Sequence, residues 1–332
     1  MNRPEPLVVI TGRGLYCPQG DFYIDPWQPV QTALITHAHG DHLRPGSARY
    51  ILARPGAGIA AHRLPGEPQL TAVGYGARLA VGGVTISLHP AGHILGSAQV
   101  RIEHGGEVWV VSGDYKRQSD PTCAPFELVP CDVFVSEATF ALPVYRWPPA
   151  AAVAAEIAKW WRINRERGLA SVLYCYALGK AQRILAELAV LGSDPVHLHG
   201  AMVGLTQLYR DADVALAPTL PATTERKQDY RGALILAPPS AAGSAWLRRF
   251  GEHSSGFCSG WMRVRGERRR RGYDRGFVIS DHADWPALTA TCRETGARRV
   301  LLTHGHSEAL QRYLTEQGLA AQALETAFGD DE

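Results

Sequence analysis

The 332 residues exceed one typical domain, so the length predicts two cores, or one core carrying a domain-sized insertion. Hydrophobic residues at 45% and charged residues at 20% exclude general disorder, while a formal net charge of +2 makes no overall electrostatic case for an anionic partner. No apolar run reaches bilayer-crossing length, the opening MNRPEPLVVITGRG carries no signal-peptide pattern, and Cys17, Cys123, Cys131, Cys175, Cys258 and Cys292 form no CxxC pair, so the expectation is a cytoplasmic protein with reduced thiols and no membrane partner.

In chain order, residues 1 to about 143 are short β-branched or apolar runs between Gly-rich turns, and LVVITG, TALIT, VTISLH, VWVVSGD and DVFVSE read as strands. After Pro148 and Pro149 an alanine-rich helix is predicted from Ala150 to about Arg167, with Gly168 placed to end it. A strand in SVLYCYA and a helix in GKAQRILAELAVLG follow, and the alternation continues to about residue 250, with APTLPATTE as its most loop-like interruption. The tail offers GFVIS, a helix in ADWPALTATCRETG, a strand in ARRVLLTH and a last helix from near Ser307 to Gly318.

Polar residues recur at one kind of position. His37, His39, Asp41 and His42 follow LIT, Asp114 follows VWVVSG, Glu137 follows DVFVS, His282 follows FVISD, and His304 follows VLLT. If these strand ends converge, a rigid scaffold presents imidazoles and carboxylates to one cleft, as metal catalysis requires. In THAHGDH, His37 and His39 are spaced to chelate one ion and Asp41 and His42 to face a second; this donor set suits zinc, and also manganese or iron. An isolated histidine is usually structural, but four ligand-type residues within six positions are not isolated.

Weaker signals lie elsewhere. WMRVRGERRRRGYDRG holds seven arginines against Glu267 and Asp274, a local excess of five positive charges that would pair with backbone phosphates if it borders a cleft and is otherwise a solvated loop. Lys180, at a helix start, is a candidate phosphate contact. His197 and His199 imitate a chelating pair but read as structural, His89 and His306 as hydrogen-bonding support for ligands, and Cys258 as packed.

The segment His37-Ala38-His39-Gly40-Asp41-His42 resembles the HxHxDH signature of the metallo-β-lactamase superfamily, with AGHILGS supplying a later ligand histidine, His93, and SGD a bridging carboxylate, Asp114. SEATF with Glu137, YALGKAQ, SDHAD with His282 and LLTHGH with His304 resemble the motifs of its β-CASP nuclease group. The resemblance implies an α/β protein, an αββα sandwich in residues 1–143 and 279–332 with an α/β β-CASP domain inserted at 144–278. It implies two divalent ions, Zn2+ foremost, with Mn2+ or Fe2+ as alternatives: one on His37, His39, His93 and Asp114, the other on Asp41, His42, Asp114 and His304. A hydroxide shared by the ions would attack phosphorus in line, and the catalytic residues would be Asp41, Glu137 and His282, with His282 protonating the leaving oxygen under the orientation of Glu137. Arg263, Arg265, Arg268, Arg269, Arg270, Arg271 and Lys180 are the expected substrate contacts.

A histidine at position 304 is, by that resemblance, the mark of RNA-acting members. Against this, GLYCPQGDFYIDPW, GDYKR and CSGWMRVRG with SDHADW closely resemble the bacterial ligase-associated DNA exonucleases. The expectation is therefore a 5′ to 3′ DNA exonuclease of DNA repair, with DNA, an ATP-dependent DNA ligase and a helicase as partners. The alternatives are a ribonuclease J-like or 3′-end-processing-like RNA nuclease and, more remotely, an inactive nucleic-acid-binding protein.

Overall fold

The computed structural model describes residues 6–192, 194–222, 229–264, 272–303, 305 and 307–324. The chain forms two compact units, Met1–Pro143 with His282–Asp331, and Val144–Asp281. Both mix helices with sheet.

In the first unit, β1 to β6 (Val9–Thr11, Gly14–Cys17, Phe22–Ile24, Thr32–Ile35, Arg49–Ala53, Leu70–Val73) lie in sequence order in one sheet. A second sheet has the order β19-β18-β11-β10-β9-β8-β7, with β7 to β11 at Leu79–Val81, Val84–Pro90, Ala98–His104, Glu107–Val111 and Val133–Glu137, β18 at Arg299–Thr303 and β19 at Ala320–Ala323. The period of two decides which side chain faces which core. Trp109, Val111, Val133 and Val135 join Leu15, Phe22, Leu34 and Ile51 of the first sheet in one buried cluster. The alternate residues Val110 and Phe134 face the other way, toward Leu288 and Cys292 of helix Trp285–Glu294 and Leu310 and Leu314 of helix Ser307–Glu316. Each large aliphatic side chain so buried contributes about 1.5–3 kcal/mol, which makes the central strands the rigid part of the unit.

Parallel pairing aligns strand ends. β10 runs parallel to β11, and β11 to β18 with Glu137 opposite Thr303, so residues following these strands emerge at one edge. The end of β4 reaches the same place: the Ala98 amide donates to the Thr36 carbonyl (2.8 Å). At Gly113, where φ is +55°, a Cβ would lie 2.6 Å from Thr36 Cβ and Oγ1, so only glycine permits this approach between the two strand ends.

The second unit is built on a parallel sheet of order β14-β13-β15-β12-β16-β17, with β12 to β17 at Ala170–Tyr174, Val196–Leu198, Thr219–Pro221, Leu234–Ala237, His253–Cys258 and Arg275–Phe277. Helix Ala150–Glu166 buries Val153, Ile157, Trp160, Trp161 and Asn164, a 3.6-residue stripe, and Gly168 follows it at φ +69°. The segment APTLPATTE is not all loop: Thr219–Pro221 pairs with β13 at the sheet edge, where Pro221 costs no ladder bond on the open side. Among the described residues no helix is long and apolar enough to cross a membrane.

Candidate metal centre

Thr36 and the loop after β4 are fixed by Asp25, which follows β3. Asp25 is 2% exposed and sits at φ 46°, a left-handed conformation that Asp tolerates better than most residues. Its Oδ1 accepts from the Thr36 amide (2.8 Å) and its Oδ2 from Thr36 Oγ1 (2.6 Å) and His42 Nδ1 (2.7 Å). A carboxylate can only accept, so His42 carries its proton on Nδ1 and turns Nε2 toward Asp41 Oδ2 (3.2 Å) and Asp114 Oδ2 (3.5 Å). In the same way His37 Nδ1 faces Thr36 Oγ1 (3.1 Å), which leaves His37 Nε2 pointing inward.

Three imidazoles meet there. His37 Nε2 and His93 Nε2 each lie 3.1 Å from His39 Nδ1, and Asp114 Oδ2 lies 3.4 Å from His37 Nε2 and 3.7 Å from His93 Nε2. One proton satisfies only one nitrogen pair, so three convergent ring nitrogens and a carboxylate form a cation cage better than a hydrogen-bond network. His93 is held by a tight loop in which Ser97 Oγ accepts from the His93 and Ile94 amides. Asp114 Oδ1 is buried with no hydrogen-bond partner, a state expected to cost several kcal/mol in the absence of a compensating charge.

The electrostatics agree. Burial pushes His37 well below its ordinary value, and His42 adds to that shift. Burial opposes charge on His42 too, but Asp114, Asp25 and Asp41 outweigh it and hold the imidazole well above its usual range. Burial likewise opposes ionisation of Asp114, yet His42, His282 and His37 keep its carboxyl well below the usual range. The negative field that favours a second proton on His42 favours a cation in its stead.

A second group adjoins the first. Glu137, at the end of β11 and 1% exposed, receives the Tyr115 amide on Oε1 (2.7 Å) and faces His282 Nδ1 through Oε2 (2.8 Å). Burial raises the Glu137 carboxyl, with His282 pulling the other way. The His282 ring lies 4.8 Å from that of His93, and Asp114, Glu137 and His282 bring ligand-type atoms within 4.8 Å of one another.

The structure thus gathers His37, His39, Asp41, His42, His93, Asp114, Glu137 and His282. His304 and His306 lie outside the described residues, as do Arg265, Arg268, Arg269, Arg270 and Arg271. Arg263 is exposed, its Nε donating to the Val144 carbonyl (3.4 Å). Two expectations need correction. Lys180 is fully buried, its Nζ 4.9 Å from the Tyr176 ring centroid and 3.9 Å from Asp281 Oδ2, so its charge is answered by a carboxylate and an aromatic face inside the second unit. His89 bonds Glu127 (2.9 Å) and Ser87 (3.0 Å), which places its two ring nitrogens with those residues. His199 caps helix Gly200–Asp211 by accepting from the Ala201 amide, and His197 packs on Tyr230.

Sequence reasoning missed Asp25. The signal was present, since it follows an apolar run as the other site residues do, but a lone Asp before Pro26 reads equally well as a turn. Asp25→Asn replaces the acceptor facing His42 with an ambiguous amide and is expected to weaken metal affinity about 10- to 100-fold. Competition titration against a chelator checks this; unchanged affinity would remove Asp25 from its supporting role.

No family model matches the chain. It is 32% identical to a probable DNA ligase of Opitutus terrae over 96% of this chain and 31% of that protein, and so spans about a third of this relative's length. It is 27% identical to the endoribonuclease YSH1 of Eremothecium gossypii over 35% of this chain and 15% of that protein. An RNase J-like protein of Methanocaldococcus jannaschii is 24% identical over 47% of this chain and 39% of that one. A crystal structure of a protein of unknown function from Enterococcus faecalis V583 aligns with a TM-score of 0.59 and 11% identity over 90% of this chain and 80% of that one, a likeness of fold.

Proposed function

We propose that the chain is a metal-dependent phosphodiesterase of the β-CASP branch of the metallo-β-lactamase superfamily and that it degrades DNA from a 5′ end. The observation that carries this reading is the convergence of His37, His39, His93 and Asp114 on one point beside the buried Glu137–His282 pair. The β-CASP domain corresponds to residues 144–278 and the catalytic domain to the remainder.

The donor set fits a divalent cation: nitrogen and oxygen atoms converge, and Asp114 Oδ1 is buried without a partner. His37, His39, His93 and Asp114 would hold one ion; Asp41, His42 and Asp114, with His304, would hold a second. Such cations would lower the pKa of a water and neutralise charge building on the phosphoryl oxygens. Asp25 fixes the His42 ring and Thr36 the His37 ring, so both nitrogens are aimed before a ligand arrives. Glu137 accepts from His282 Nδ1 and holds that ring with Nε2 turned away from the carboxylate, the nitrogen that would serve as proton donor to the leaving oxygen.

The relative covering 96% of this chain is named a probable DNA ligase, which supports DNA as the substrate and cooperation with a ligase. The relatives named endoribonuclease and RNase J-like support a second reading, cleavage of RNA. The 332-residue chain loaded with Zn2+ or Mn2+ should be offered 5′-labelled and 3′-labelled single-stranded DNA, a closed DNA circle and matched RNA. Stepwise loss from the 5′ end of linear DNA is expected. Cleavage of the circle would defeat the exonuclease assignment, and faster turnover of RNA the DNA assignment.

A further inference from the structure

The second unit carries an aromatic and cationic surface that the chemistry above does not use. Tyr145 is buried, and the half-buried rings of Trp147 and Trp261 both pack on it, with centroids 5.8 Å and 5.6 Å away. Trp261 lies in the single turn Gly260–Arg263, which begins where Ser259 Oγ accepts from the Trp261 amide (3.2 Å). The same turn is tied to the segment before Tyr145 by the Arg263 bond to the Val144 carbonyl. Arg146 and Arg263 flank the two indoles and are exposed. Among the described residues neither forms an ion pair with a carboxylate, so both guanidinium groups are available to an anion.

Two indoles packed on a buried tyrosine, themselves half-buried and bordered by exposed arginines that form no ion pair among the described residues, suit a ligand that is flat and polyanionic. Unpaired bases on a phosphate backbone match that description. Duplex DNA does not, because its base faces are already stacked. We propose that Trp147 and Trp261, with Arg146 and Arg263, form a stacking surface for single-stranded DNA on the Val144–Asp281 unit. The inference rests on the nuclease reading for the choice of DNA; the surface itself rests on the packing of the two indoles and the flanking charge.

The test is binding of a fluorescein-labelled, hydrolysis-resistant phosphorothioate oligothymidylate of about twelve nucleotides to the metal-loaded full chain, read by anisotropy over a salt series. Trp147→Leu and Trp261→Leu keep apolar bulk but lose the flat face, and each should raise Kd about tenfold without changing the salt slope. Trp147→Phe and Trp261→Phe should stay close to wild type. Arg146→Ala and Arg263→Ala should instead flatten the salt slope by about one phosphate contact each. Leucine variants that bind as tightly as the phenylalanine variants would overturn the stacking role. Equal losses on duplex DNA would do so too, and tighter wild-type binding of an oligouridylate would overturn the assignment to DNA. Cleavage by wild type is scored separately: if it cuts DNA while the leucine variants bind normally, only this surface is rejected, and if it cuts no polynucleotide while the variants lose binding, only the nuclease reading is.

Discussion

Asp114→Asn is expected to empty the centre of metal and to lower phosphodiester hydrolysis about a thousandfold or more. Asp114 Oδ2 faces His37, His42 and His93 at 3.4 to 3.7 Å, and its charge is the one anionic element common to all three contacts. The amide keeps the shape and loses the charge, so a desolvated dication would meet neutral imidazoles where it had met a carboxylate. Several kcal/mol of binding and transition-state stabilisation go with it, and each 1.36 kcal/mol is a factor of ten in rate. Metal analysis after gel filtration and initial rates on labelled DNA give the two readouts, with circular dichroism confirming the fold. A variant with full metal content and activity within tenfold of wild type would refute the central role of Asp114.

His282→Ala should separate chemistry from metal binding. The ring is held by Glu137 and sits beside the His93 ring, and the nitrogen turned away from Glu137 is the proton source proposed for the leaving oxygen. Removing a positioned general acid typically costs 10²- to 10⁴-fold, and kcat is expected to fall by about that much with metal stoichiometry unchanged. The discriminating measurement uses a p-nitrophenyl ester of thymidine 5′-phosphate, whose leaving group departs without a proton. On that substrate the deficit should largely vanish. Loss of metal from the variant, or an equal deficit on both substrates, would count against a proton-transfer role.

The alternation of strands and helices, and hence a mixed α/β protein with several sheets, was legible because apolar runs of strand length end in Gly, Pro or polar residues. The site was legible for a related reason. Parallel strands deliver their next residues to one edge, so Asp114 and Glu137, which look unrelated in the sequence, become neighbours once β10 and β11 pair. What stayed hidden depended on side-chain burial. Lys180 stands at a helix start whether its stem points outward or, as here, into a buried contact with Asp281 and Tyr176. His89 is four residues before His93, but its strand turns it toward Ser87 and Glu127. Neither orientation leaves a trace in spacing.

The order of strands in the second sheet has a consequence for synthesis on the ribosome. β11 pairs with β10 on one side, but its other neighbour, β18, is translated only after the whole of Val144–Asp281 has emerged. The intervening unit is continuous in the nascent polypeptide and has all its strands first, whereas the surrounding one waits with an unsatisfied ladder along Val133–Glu137. Glu137 is on that waiting strand and His282 follows the intervening unit, so their contact forms only after Val144–Asp281 has been translated, and a product stalled before that point carries neither the β11–β18 pairing nor the Glu137–His282 pair.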